Sequence, residues 1–178
     1  MLAIVVALAT LVVAITVGIR LARRTRIWLP HVAQILMAGS VVVTVVATAL
    51  PREPRLVGDG DLVLVPGRGG LGNLDQILAD PTSLAGLLVL ANIVLYLPIA
   101  FFAVLGYHAY RRLVLAGCLA LSVMVEATQY LALGRVATID DVILNMLGAA
   151  LGFVLAYQLI AFFPRLQSLI GGEDKEPV

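Results

Sequence analysis

The chain is expected to be all-α, a polytopic membrane helical bundle with about five transmembrane helices, and two observations carry that expectation. First, 61% of its 178 residues are hydrophobic and mean hydropathy is +1.04, against about 45–50% apolar in an ordinary soluble domain. Second, the apolar residues come in blocks of about 20, the length that crosses a hydrocarbon core of about 30 Å. Five blocks cover roughly residues 2–19, 31–50, 84–107, 113–133 and 139–163. Residues 1–163 therefore form a single transmembrane domain with a loop at 51–83, and 164–178 form a tail.

Placement of charge orients the spans. Arg20, Arg23, Arg24 and Arg26 crowd the first connection, His108, Arg111 and Arg112 the third, and Arg165 and Lys175 follow the last span. In the second connection Arg52, Arg55 and Arg68 are diluted by Glu53, Asp59, Asp61, Asp75 and Asp80. Dense Arg in short loops marks the cytoplasmic side. The N-terminus is then outside, the C-terminus cytoplasmic, and loops 51–83 and 134–138 face outward. Positive charges follow the first apolar block instead of preceding it, and no small-residue cleavage site is evident, so that block is expected to be a retained span. The single Cys118 excludes an intramolecular disulfide. No basic patch points to nucleic acid, and no ligand cluster with metal spacing is present, so neither metal nor cofactor is expected.

Taken in order, the first two spans are Val, Ala, Leu and Ile, with Thr10, Thr16, Ser40 and Thr44 able to bond their own backbone. Pro30 and Pro51 bracket the second span. In the outer loop, β-favouring runs around Gly58-Asp59-Gly60 predict a small hairpin over 55–66. Gly67 to Gly72 has the composition of an anion nest, although a flexible turn is favoured; without a preceding strand and a Lys-Ser/Thr ending it is no P-loop. Asn73 to Ala79 predicts a short amphipathic helix capped by Asn73, and the end of the tail, Gly171 to Val178, is expected to be disordered.

The third span places Asn92 and Tyr96 at i and i+4, with a kink expected at Pro98. In the fourth, Glu126, Gln129 and Tyr130 share one face in the outer half, because Gly134 ends the helix. At 1.5 Å per residue, Glu126 lies about 12 Å below that end. The fifth span begins with Thr138 as N-cap and with Asp140 and Asp141 in its first turn, where the helix dipole favours negative charge. Asp141, Asn145, Gly148 and Gly152 share a face, and Gly148 to Gly152 is a GxxxG element that permits close approach of another helix. Tyr96 and Tyr130 are expected in packing or in the aromatic belt.

Ionisable groups within a span cost roughly 2.5–3.5 kcal/mol at its centre and are functional candidates by default. The candidate ligand-binding set is Asn92, Glu126, Gln129, Arg135, Asp140, Asp141 and Asn145, with no catalytic residue assigned. Gly148, Gly152 and Pro98 are assigned to helix packing. The competing reading is structural: interhelical hydrogen bonds, each worth about 0.6 kcal/mol. Asp140 taken alone reads as a solvated charge at a helix start.

These residues carry a family resemblance. The string VEATQYLALGRVATIDDVILNMLGAALG resembles the signature of VanZ-like membrane proteins, a family named for a glycopeptide (teicoplanin) resistance accessory protein. Its Glu, the Gln three later, an Arg, one or two Asp, an Asn and spaced glycines match Glu126, Gln129, Arg135, Asp140 or Asp141, Asn145, Gly148 and Gly152. NIVLYLPIAFF resembles the family's third-span motif, with Asn92 and Pro98 in place. The resemblance covers roughly residues 70–160. It departs at Ala100, where a Gly is common, and at Asn73-Leu-Asp-Gln76, which lacks a Pro-Phe pair.

The resemblance implies a cell-membrane protein of the envelope with a part in glycopeptide tolerance, and it brings no mechanism. Combined with the residues, it leads us to expect an outward-facing polar pocket for an anionic lipid-linked or lipoglycopeptide ligand. The partner is then a membrane lipid, a lipid-linked envelope precursor or a glycopeptide. Arg135 would pair with phosphate or carboxylate, Asn92, Gln129 and Asn145 would orient the ligand, and the carboxylates would hold Arg135 in the empty site. Two alternatives stay open. One is an intramembrane enzyme modifying a lipid-linked precursor, with Glu126 as general acid or base and Asp141 in support. The other is a non-catalytic assembly subunit.

Overall fold

The computed structural model describes residues 29–49, 61–133, 135–163, 166 and 170. The block 2–19, the first arm of the expected hairpin and the tail from Gly171 lie outside the described residues.

Among the described residues the architecture is all-helical apart from one two-residue strand pair. Four long helices are α1 (Leu29–Ala49), α3 (Leu84–Gly106), α4 (Val114–Leu133) and α5 (Ile139–Phe162). Each is long and apolar enough to cross a membrane, and each lies within two residues of a block read from the sequence. A single-turn helix, α2 (Leu74–Ala79), follows a 3-10 turn at Gly70–Asn73, and a second 3-10 segment, His108–Leu113, joins α3 to α4.

Local chemistry explains the ends. Pro30 occupies the first turn of α1, where its missing N–H would have had no intrahelical acceptor. Ser83 caps α3 by accepting the Gly86 amide at 3.3 Å, and Thr138 caps α5 by accepting the Asp141 amide at 3.1 Å. α3 continues through Pro98 as a single helix.

α3 is the axis of the bundle, packed most extensively on α5 and next on α1. Its C-terminal half is buried almost without interruption from Pro98 to Gly106, and Tyr96, Val104, Ala149 and Ala156 lie in the driest part of the core. Contact with α5 depends on Gly148 and Gly152: a Cβ on either would run into the backbone carbonyl of Ile93 or Leu97. The GxxxG element therefore lets α3 and α5 approach backbone to backbone. On the other side, Gln34 donates to the Gly106 carbonyl at 2.9 Å and buried Thr44 to that of Leu95 at 3.4 Å. The outer faces stay apolar, with Ile35, Val42, Val123, Leu131 and Val154 exposed, as a bundle solvated by lipid requires.

The second arm of the expected hairpin makes a pairing that was not expected. Strand β1 (Leu62–Val63) runs parallel to β2 (Ala137–Thr138), Leu62 opposite Ala137 and Val63 opposite Thr138. The Ala137 amide donates to the Asp61 carbonyl at 3.0 Å. Period-two alternation identifies a strand but not its partner; here the loop that precedes α2 is drawn to the start of α5 by the contacts described next.

Candidate functional site

The first of these contacts is made by Asp140. Its Oδ1 accepts the Gly67 amide at 2.8 Å, and its Oδ2 accepts the Gly69 amide at 2.8 Å and the Leu71 amide at 3.1 Å. The residue is fully buried. Gly67 has φ +79°, a left-handed conformation that glycine adopts without strain. At Gly69 a Cβ would fall 2.9 Å from Thr138 Cβ and 3.0 Å from Asp140 Oδ2, so the carboxylate fits only against bare backbone. The glycine-rich segment is thus an anion nest, and the chain supplies the anion itself. This corrects two expectations: the segment is not simply a flexible turn, and Asp140 is not a solvated charge. Both of its oxygens are held by the loop at the N-terminus of α5, where the helix dipole favours them.

Next to this latch of Asp140 and the loop amides, the capping residue Thr138 joins three of the candidates. Its amide donates to Glu126 Oε2 at 3.0 Å while its hydroxyl caps Asp141. Asp141 Oδ1 in turn accepts Asn92 Nδ2 at 2.6 Å. Glu126 on α4, Asp141 on α5 and Asn92 on α3 are therefore linked through one capping residue. The charges of Asp141 and Arg135 both bear on Glu126, and that of Arg135 bears on Asp141 as well.

Arg135 and Gln129 converge on α1. Arg135 Nη1 donates to the Thr48 carbonyl at 2.7 Å, and Gln129 Nε2 reaches the same oxygen at 3.4 Å. The Arg135 amide also closes the end of α4 on the Gln129 carbonyl at 3.0 Å. Thr48 sits at the end of α1, whose last carbonyls have no intrahelical donor. Beside this junction, between α1 and α4, a cleft of about 230 Å³ is lined by Val45, Leu121, Met124 and Leu133, with Thr48 and Gln129 also on its wall.

Asn145 lies deeper, one turn along α5 from Asp141. It donates to the Ser122 hydroxyl at 2.9 Å, in a fully buried contact. The structure therefore divides the candidates in three. Asn92, Glu126 and Asp141 form one linked group, Gln129 and Arg135 meet at Thr48, and Asp140 and Asn145 are committed to contacts within the bundle. Sequence reasoning missed Ser122, Thr48 and the three loop amides. Ser122 was findable, because it stands four residues before Glu126 on the same helical face. A backbone carbonyl or amide leaves no residue-specific signal. Among the described residues no three His, Cys, Asp or Glu side chains converge as on a metal ion.

No curated protein and no solved structure is detectably similar to the chain. A protein-family model, VanZ/LLP1, matches residues 11–162. That match takes in all four described spans, the loop latch and every candidate residue: the protein is a multi-pass membrane protein of the VanZ/LLP1 family.

Proposed function

We propose that the protein binds an anionic, lipid-linked component of the cell envelope at the end of the bundle where Arg135 lies, and that this binding contributes to glycopeptide (teicoplanin) tolerance. One observation carries the reading. Arg135 and Gln129 meet on the Thr48 carbonyl beside an apolar cleft of about 230 Å³ between α1 and α4. That arrangement suits an amphiphile whose hydrocarbon chain follows the cleft and whose phosphate or carboxylate meets the guanidinium fork.

The role of each residue follows from its contacts. Arg135 is the charge partner and Gln129 a hydrogen-bond donor. Glu126 and Asp141 act on Arg135 through their charge, and Asn92 fixes the Asp141 carboxylate. Asp140 and Asn145 support the site without touching the ligand. By the positive-inside rule the site faces outward.

The test uses purified protein in neutral-lipid nanodiscs and two probes, a polyprenyl phosphate and the uncharged polyprenol. Preferential retention of the phosphate, weakened about tenfold or more by Arg135→Ala, is the expected result. Equal retention of the two probes, or full retention of the phosphate by a folded Arg135→Ala protein, overturns the reading. Phosphate release from the probe that is lost in Glu126→Gln would replace binding by a reaction.

A further inference from the structure

Two buried polar atoms at the centre of the bundle have no hydrogen-bond partner: the Tyr96 hydroxyl and Asn145 Oδ1. Their residues are 1% and 3% exposed. Both belong to one place. Asn145 Nδ2 donates to the Ser122 hydroxyl at 2.9 Å, and the Tyr96 hydroxyl lies beside that same hydroxyl. Turning the Asn145 amide over does not help, since one of its two polar atoms then meets Ser122 and the other is still left over. Nor does a direct bond from Tyr96 to Ser122 satisfy the remaining atom of Asn145. Buried polar groups in folded proteins are nearly always paired, with ordered water where protein atoms fall short.

We propose that Tyr96, Ser122 and Asn145 hold an ordered water molecule where α3, α4 and α5 meet. Water is the species these groups select. It accepts from one hydroxyl while donating to the Asn145 carbonyl oxygen, and two to four polar partners are what a buried water needs. The three side chains supply neutral oxygens only, which match water better than a bare cation. Ser122 precedes Glu126 by four residues, about 6 Å of rise along the same helix, so the water lies about one turn from the Glu126 backbone position. It extends the polar group of Glu126, Asp141 and Asn92 into the bundle interior, and it fixes the Asn145 amide through which α4 and α5 are joined. The inference does not depend on what ligand, if any, binds at Arg135.

X-ray radiolytic labelling of the full chain in nanodiscs prepared in ¹⁸O water tests it, because a side chain buried this deeply is labelled promptly only by an adjacent bound water. Phe102, an aromatic of the same helix that is 4% exposed, is the internal reference. Tyr96 labelled with ¹⁸O several-fold faster than Phe102 is the expected result, with the rate unchanged when sodium is replaced by choline. Tyr96 labelled no faster than Phe102 overturns the proposal, and so does labelling that sodium suppresses, which would make the occupant an ion. Asn145→Leu, where it folds, should bring Tyr96 down to the Phe102 rate. Persistent fast labelling in that variant overturns the assignment of Asn145 to the site. The comparison in the unaltered chain decides the matter even where the variant does not fold.

Discussion

The Gly69 amide donates to Asp140 Oδ2 at 2.8 Å across 71 residues of sequence, which fastens the loop before α2 to the first turn of α5. Because Gly67 and Leu71 donate to the same carboxylate, removing it leaves three amides to be satisfied elsewhere. Asp140→Ala is expected to cost about 3–5 kcal/mol, read as a lower midpoint of thermal unfolding in detergent. The loss should begin in the loop. Arg68 is exposed between two of the donors, so trypsin is expected to cut there many times faster in the variant than in the parent. A parent and variant cleaved at equal rates would mean that Asp140 does not hold the loop.

The close approach of α3 and α5 makes a second prediction with internal controls. A methyl group at Gly148 or Gly152 meets the carbonyl of Ile93 or Leu97, and backbone cannot swing aside as a side chain can. Gly148→Ala and Gly152→Ala are each expected to cost about 1–3 kcal/mol. Gly39 and Gly117 are also helical but have nothing within 4 Å of a built Cβ. Gly39→Ala and Gly117→Ala should be neutral or stabilising by up to about 1 kcal/mol. Thermal midpoints of the four variants, compared side by side, check the pattern.

What could be read from the sequence follows from the range of the forces involved. Span ends were legible because hydropathy and length are local, and Thr138 was legible as a cap because its acceptor is three residues from its donor. Gly148 and Gly152 were legible as a contact surface, although not as a contact with Ile93 and Leu97. Asp140 was not legible. Its partners lie in a loop that, taken alone, looks like a turn, and a helix-start Asp, taken alone, looks solvated. Only the fold brings the two half-patterns together. The same holds for the strand at Leu62, whose alternation carries no mark of the partner it has among the described residues, Ala137. Thr48 contributes a carbonyl that any residue would supply, so no inspection of side chains would have found it.

A third prediction concerns the turn that leads into α3, outside the spans. Asp80 accepts the Thr82 hydroxyl at 2.6 Å and the Thr82 amide at 3.0 Å. These bonds, the hydroxyl's first, favour the charged form and hold its carboxyl below the ordinary value of 3.8. Since the folded value is the lower one, the contribution to stability is present at neutral pH and is lost as pH falls below about 3.8 through the depressed value. Thr82→Val should raise the Asp80 pKa toward 3.8 and remove most of that acid dependence. A carboxyl ¹³C titration of the two proteins would show it; identical titration curves would contradict it.

Glu126 allows scaffold and site to be separated by choice of substitution. Its Oε2 accepts the Thr138 amide at 3.0 Å, a task that the amide oxygen of Gln also performs. Glu126→Gln should therefore unfold close to the parent. Glu126→Leu leaves the Thr138 amide without its acceptor and is expected to lose about 1–3 kcal/mol. The charge has a different consequence. Glu126 and Asp141 both act on Arg135, so neutralising Glu126 relieves the guanidinium of one competing anion. If Arg135 is the anion partner, Glu126→Gln should retain the polyprenyl phosphate more tightly than the parent, at unchanged thermal stability. Should Glu126→Gln instead unfold as readily as Glu126→Leu, the carboxylate would be part of the scaffold. An unchanged midpoint with unchanged phosphate retention would remove Glu126 from the site and leave Arg135 to act with Gln129 alone.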